Sequence, residues 1–139
     1  MNRITSLSFL LCAALSLGSC KKFIENKQEQ AAVQIITNGR WKINSFTTGA
    51  ASQTALFAPY LFQFNTNATV DAYNGATLEM SGGWTYDIPA RTVTGNFPTS
   101  SEPLSLINAT WRITDSGETY VDAECTVNGE IRRMHMDKQ

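Results

Sequence analysis

The sequence predicts an all-β chain: an eight-stranded antiparallel up-and-down barrel preceded by a short N-terminal helix. After residue 40, short segments alternate apolar and polar residues with the two-residue period of strands. The pairs Asn74-Gly75 and Asn128-Gly129 are strong hairpin signals, and successive hairpins place neighbouring strands side by side. Closing the sheet removes the exposed edges that such a meander would leave. A two-layer sandwich is the main alternative.

The first 19 residues are typical of a secretion signal. Arg3 gives a positive start, and the apolar run over residues 7–17 is shorter than the ~20 residues that cross a bilayer. Two small residues then precede Cys20, and this Leu-Gly-Ser-Cys pattern resembles the lipobox of bacterial lipoproteins. The resemblance implies cleavage after residue 19, a diacylglycerol on the Cys20 sulfur and often a further acyl chain, such as palmitate, on its amine. An ordinary signal peptide with an incidental cysteine is the alternative.

The residues after the anchor bear on localisation. Lys21 and Lys22 follow Cys20, and no aspartate stands directly after it. By resemblance to Gram-negative lipoproteins, this implies transport to the outer membrane. Two or more acyl chains hold a protein firmly at a bilayer, so we expect the membrane to be a partner through the anchor. Whether the protein faces the periplasm or the cell surface stays open.

Composition excludes one class of partner. Without the signal, 10 basic residues face 12 acidic ones, a net charge of about −2, because Arg3 leaves with residues 1–19. A nucleic-acid-binding domain would need a basic patch, so no nucleic-acid partner is expected. Once Cys20 is acylated, Cys125 has no cysteine in the mature chain to pair with. Stability must therefore come from packing.

The mature chain divides into two parts. Residues 20–37 are predicted to form a lipid-anchored tether and a short helix, because residues 25–36 contain good helix formers and neither Gly nor Pro. Asn38-Gly39 is expected to end the helix, since both residues tolerate the left-handed conformation. Residues 38–139 are predicted to form the barrel domain.

The strands follow in order along this domain. The first is predicted to place Trp41, Ile43 and Ser45 on one face, and Gly82-Gly83 to open a later strand after a break. The eight predicted strand segments are residues 40–47, 60–64, 68–73, 84–88, 91–97, 104–114, 118–127 and 130–136, and residues 77–80 could extend the pairing at the Asn74-Gly75 turn.

An ordered set of motifs over residues 36–137 resembles the lipocalin-like domains of Bacteroidetes lipoproteins. The matching residues are Gly39 and Trp41, then Phe62, Phe64 and Asn65, then Gly82, Trp84 and Tyr86, and finally Trp111. The resemblance implies a lipocalin-like barrel in which Trp41 plugs one end. It also implies that an arginine of the last strand, Arg132 or Arg133, stacks over that ring.

The aromatic residues give two hypotheses for a non-enzymatic binding module. In the first, inward rings hold a small apolar ligand, and these rings are Phe62, Phe64, Trp84, Tyr86 and Trp111. In the second, the rings fill an eight-stranded barrel whose interior is just wide enough for side chains. The loops after Thr47 and Phe97 would then dock an envelope protein or a glycan.

Catalytic and metal sites are not predicted. His135 is the single histidine, so a zinc site has too few ligands. One arrangement would place Cys125 and His135 opposite each other across the last hairpin. Cys125 lies among Val and Ala residues, however, and is expected to be buried. Asp122 and Glu124 share the polar face of one strand and are expected to be solvated. We therefore expect no enzyme, no cofactor and no metal.

Overall fold

The computed structural model describes residues 16–139, with side chains described from residue 26 onward. One helix, α1, spans Ser16–Thr37. The strands are β1 Trp41–Thr48, β2 Ala51–Ser52, β3 Tyr60–Phe64, β4 Thr69–Asn74, β5 Thr77–Asp87, β6 Thr92–Asn96, β7 Ala109–Ser116, β8 Tyr120–Val127 and β9 Glu130–Lys138.

Eight of these strands close into an antiparallel up-and-down barrel, as predicted. From β3 to β9 each strand pairs with the next along the chain. β9 then pairs with β1 along its whole length, from Trp41 opposite Lys138 to Thr48 opposite Arg132. β1 meets β3 at the single pair Trp41 and Phe62, which completes the ring. The two-residue β2 adds to the end of β1 and is not part of the barrel wall.

The helix is longer than the sequence indicates. It begins at Ser16 and so includes the backbone of the predicted tether, and it ends at Thr37. Gly39 follows with φ of +91°, the left-handed conformation expected after a helix end. Residues 1–15 of the predicted signal lie outside the described residues, as does the Cys20 side chain. Within residues 16–139, no helix has both the length and the apolar character that a membrane crossing requires.

A bulge in β1 makes the predicted inward face partly wrong. Trp41 and Ile43 point inward, but the pairing with β9 shifts between Ile43 and Ser45. The extra residue reverses the alternation, because side chains change face at every step along a strand. Ser45 is therefore exposed and Phe46 is fully buried.

The two glycines predicted to open a strand lie inside one. β5 runs unbroken from Thr77 to Asp87, and Gly82 sits where β6 approaches closely. A Cβ at Gly82 would stand 2.5 Å from the carbonyl oxygen of Asn96. Glycine is therefore required here for close backbone approach, not for a break in the strand.

Two short 3-10 helices close the barrel end that lies away from α1. They span Thr54–Phe57 and Leu104–Ile107, so the predicted strand over residues 104–114 begins only at Ala109. The apolar side chains buried at this end are Phe57, Phe97, Leu104 and Leu106. This end is therefore sealed by packed side chains.

Candidate functional site

The barrel interior is almost filled by side chains. Phe62 and Trp111, two of the predicted ligand residues, are each 2% exposed. The Phe62 ring centroid lies 6.5 Å from that of Phe57 and 6.2 Å from that of Phe97, and Trp111 packs edge-on against Phe46 at 5.8 Å. The space left among the inward side chains is about 60 Å³. Ligand pockets usually measure ~300–1,000 Å³, so these rings form a core.

A larger cavity lies at the open end, between α1 and the mouth of the barrel. Its volume is about 690 Å³, and most of its wall is apolar. Four apolar residues of α1 cover it, and the barrel supplies the opposite wall. Representative lining residues are Ala32, Val33 and Ile36 of the helix with Trp84, Val93 and Ile113 of the barrel. The size and lining match those of a small-molecule site.

The predicted ligand residues therefore separate into two groups. Trp84 and Tyr86 line the mouth cavity, whereas Phe62 and Trp111 line only the small interior space. Phe64 is half-buried between the groups and packs edge-on against Trp84, with the ring centroids 5.4 Å apart. Tyr86 continues this row of rings toward solvent, 5.4 Å beyond Trp84 and 38% exposed. The row runs from the core to the rim of the cavity.

Hydrogen bonds from the barrel hold α1 over the cavity. The Trp41 indole donates to the carbonyl of Ile36 at 2.9 Å, and the Lys138 ammonium donates to that of Ile35 at 2.7 Å. Carbonyls in the last turn of a helix have no partner within the helix, and a cation there also matches the helix dipole. These two contacts fix the end of α1 that covers the mouth.

A further bond joins the exposed part of α1 to the rim. The Tyr86 hydroxyl donates to the Glu29 carboxylate at 2.9 Å. This hydrogen bond raises the pKa of Tyr86, because the tyrosine must keep its proton to donate it. It lies at the outer edge of the cavity, where both groups are exposed.

The cation over Trp41 is a lysine, so the expected arginine plug is wrong. Lys138 Nζ lies 5.1 Å from the centre of the indole ring. Arg132 pairs in register with Thr48, at the opposite end of β1, and donates to the Leu106 carbonyl at 3.0 Å. Arg133 projects from the outer wall. The register of the β1–β9 pair, with Trp41 opposite Lys138, decides which side chain reaches the ring.

His135 belongs to a polar cluster on the outer wall. Its two ring nitrogens lie 2.6 Å from a carboxylate oxygen of Asp122 and 3.1 Å from one of Asp137, and Asn44 also donates to Asp137. The hydrogen bond to Asp122 is the largest cause that raises the pKa of His135. The Tyr120 ring stacks on the imidazole.

The sequence analysis did not predict this cluster, although the turn of the last hairpin indicates the strand register that forms it. A two-residue turn at Asn128-Gly129 pairs Val127 with Glu130, and the same register places Asp122 opposite His135. Cys125 faces the other way: it is buried, and burial raises the pKa of its thiol. The thiol and the imidazole thus lie on opposite faces of the hairpin.

Asp122 and Glu124 share the outer face, as predicted, and both have partners there. Glu124 pairs with Arg112 of β7 and with Arg133 of β9, the latter at 3.5 Å. Among the described residues, no three His, Cys, Asp or Glu side chains are grouped to hold a metal ion. The chemistry of this surface is that of exposed ion pairs.

Comparisons with known proteins support the fold. The chain is similar in structure to a DUF4847 family protein from Bacteroides vulgatus, with a TM-score of 0.51 and 15% sequence identity over 76% of this chain and 97% of that chain. Neither the protein-family models nor the curated proteins gave a match. At this identity the likeness concerns architecture, and the chain shares its barrel fold with a Bacteroides protein.

Proposed function

We propose that this protein is a non-enzymatic binding module of the cell envelope that holds a small apolar ligand between α1 and the barrel mouth. The observation that supports this function is the cavity of about 690 Å³ under the helix. The proposed site thus lies at the mouth of the barrel. Of the five aromatic residues predicted from the sequence to contact a ligand, Trp84 and Tyr86 line this site. Phe62 and Trp111 support it from the core.

The cavity wall favours an apolar ligand. Burial of apolar surface contributes ~25 cal/mol per Å², and side chains from both the helix and the barrel offer such surface. The flat face of Trp84 adds a contact that suits a ring or a chain, and Phe64 packs edge-on against the Trp84 ring without lining the cavity. Asp87 is a polar residue of the cavity wall. Its carboxylate accepts a hydrogen bond from the Ala90 amide and so stabilises the turn between β5 and β6. This arrangement fits a protein that binds a ligand without catalysing a reaction.

The proposed anchor connects this site to the membrane. Acylation of Cys20 would attach the N-terminal part of α1 to the outer membrane, and the C-terminal part of the same helix covers the cavity. Cys20 and Ile36 are 16 residues apart, which corresponds to ~24 Å of helix. The ligand site would therefore be held within a short distance of the lipid surface.

A pair of matched substitutions tests the ligand site. Ala32 lines the cavity, and the adjacent Ala31 is exposed and does not. We expect Ala32→Trp to fill the cavity and Ala31→Trp to leave it open. Native mass spectrometry of the full chain, after incubation with envelope lipid extract, should show a bound mass in the wild type and in the Ala31→Trp variant. The same mass should be lost in the Ala32→Trp variant.

Two results would contradict the proposal. A bound mass that survives Ala32→Trp would place the ligand elsewhere. An unliganded mass under every condition would favour the second candidate, a filled barrel whose loops dock an envelope protein or a glycan. The observation behind that candidate is the packed interior, with only about 60 Å³ of free space.

A further inference from the structure

Arg91 occupies an unusual backbone conformation at the rim of the cavity. It ends the turn between β5 and β6 with φ of +55°, a region that residues other than glycine seldom adopt. Two hydrogen bonds hold it there: its amide donates to the Ile88 carbonyl at 3.0 Å, and its carbonyl accepts from the Ile113 amide at 2.9 Å. The backbone that carries this side chain is thus tied to two neighbouring segments of the rim.

The guanidinium of Arg91 differs from the other arginines of the described chain. Arg112 and Arg133 pair with Glu124, Arg132 binds a carbonyl, and Arg40 lies 3.9 Å from the centre of the Tyr73 ring. Among residues 26–139, whose side chains the structure describes, none offers a hydrogen bond, ion pair or ring contact to the Arg91 side chain. Its charge is therefore available to a ligand.

The charges around Arg91 leave it as the basic group of the site. Among the described lining residues it is the only basic one, and Asp87 is the only acidic one. The Asp87 carboxylate is engaged by the Ala90 amide at 3.0 Å. The Glu29 carboxylate, at the outer edge of the cavity, accepts a hydrogen bond from the Tyr86 hydroxyl. Neither of these two carboxylates forms an ion pair with the Arg91 guanidinium.

We infer that the ligand is a single-chain amphipath with an acidic headgroup, a conclusion that rests on the proposed function. The apolar chain lies under α1 against Trp84, Val93 and Ile113, and the headgroup meets Arg91 at the rim. A guanidinium presents parallel N–H donors that match a carboxylate or a phosphate. Apolar contact supplies most of the affinity, and Arg91 supplies the preference for an acid.

The test compares three probes that share one chain: dodecanoate, dodecyl phosphate and dodecanol. Calorimetric titration of the full-length protein at neutral pH should show both acids binding ~10-fold more tightly than the alcohol, as expected for one charge-assisted contact at an exposed rim. Arg91→Met should remove this preference while dodecanol still binds. Arg91→Lys should keep part of it, and Arg112→Met, a matched change on the outer wall, should keep all of it.

The outcomes separate this inference from the proposed function. Equal affinity for acids and alcohol in the wild type, or a preference that survives Arg91→Met, overturns the role of Arg91 and leaves a cavity that binds apolar chains. Failure of all three probes to bind overturns the apolar ligand site itself, and the acidic headgroup with it. A stronger preference for dodecyl phosphate than for dodecanoate would identify a phosphate headgroup, and the reverse a carboxylate.

Discussion

Truncating Phe46 should destabilise the barrel far more than truncating its neighbour Ser45. The bulge in β1 turns Phe46 inward, where it is 0% exposed, and turns Ser45 toward solvent. The Phe46 ring lies 4.8 Å from the Phe57 centroid and 5.8 Å from that of Trp111. Both neighbours are themselves buried.

The size of the effect follows from these contacts. Phe46→Ala removes a fully buried ring and leaves a cavity, and such changes cost ~3–5 kcal/mol. The upper part of that range is expected, because Phe57 and Trp111 are held by other parts of the fold and cannot collapse into the space. Ser45→Ala removes an exposed hydroxyl and should change the free energy of unfolding by no more than ~0.5 kcal/mol.

Urea unfolding of the purified chain, followed by tryptophan fluorescence, measures both changes. A domain of this kind is stable by ~5–15 kcal/mol, so Phe46→Ala should lower the midpoint strongly or unfold the chain outright. Phe46→Leu, a smaller truncation, gives a measurable intermediate loss in the latter case. A large loss from Ser45→Ala together with little change from Phe46→Ala would mean that β1 alternates without a bulge, and our assignment of the inward face would be refuted.

Two further predictions concern His135 and Cys20. The pKa of His135 is raised above its ordinary 6.5, so its stabilising contribution should be fully present below about pH 6.5 and lost as the pH rises through the higher folded-state pKa. Urea midpoints measured across this range should show the loss in the wild type, and Asp122→Asn should flatten it. Cys20→Ser should release the protein from the membrane fraction, as measured by fractionation and immunoblotting.

Each of these has a matched control. Asp87→Asn changes an exposed carboxylate away from His135 and should leave the pH dependence intact; an unchanged slope in Asp122→Asn would rule out their hydrogen bond as its source. Cys12→Ser alters a cysteine of the predicted signal and should leave the protein at the membrane. Continued membrane retention after Cys20→Ser would contradict the predicted acylation.

The aromatic residues show where sequence reasoning reaches its limit. Alternation correctly placed Phe62, Trp84 and Trp111 on the inward face. It could not tell which rings lie deep and which lie at the mouth, because depth depends on the stagger between strands and on what covers the end. Tyr86 shares a strand face with Trp84 and yet reaches the rim and α1.

The sequence by itself determined the antiparallel meander, the main turns and the end of the helix, since these follow from local backbone preferences and from the two-residue period of strands. The same features left a sandwich as an alternative to the closed barrel, because closure requires the long-range pairing of β1 with β9. Even the pairing of Asp122 with His135 was implicit in the Asn128-Gly129 turn. Tertiary structure alone decided the rest. The register between distant strands decides the bulge before Phe46 and the contact of Lys138 with Trp41. The docking of the helix against the barrel mouth decides the cavity under α1. These are long-range contacts that no short stretch of residues encodes.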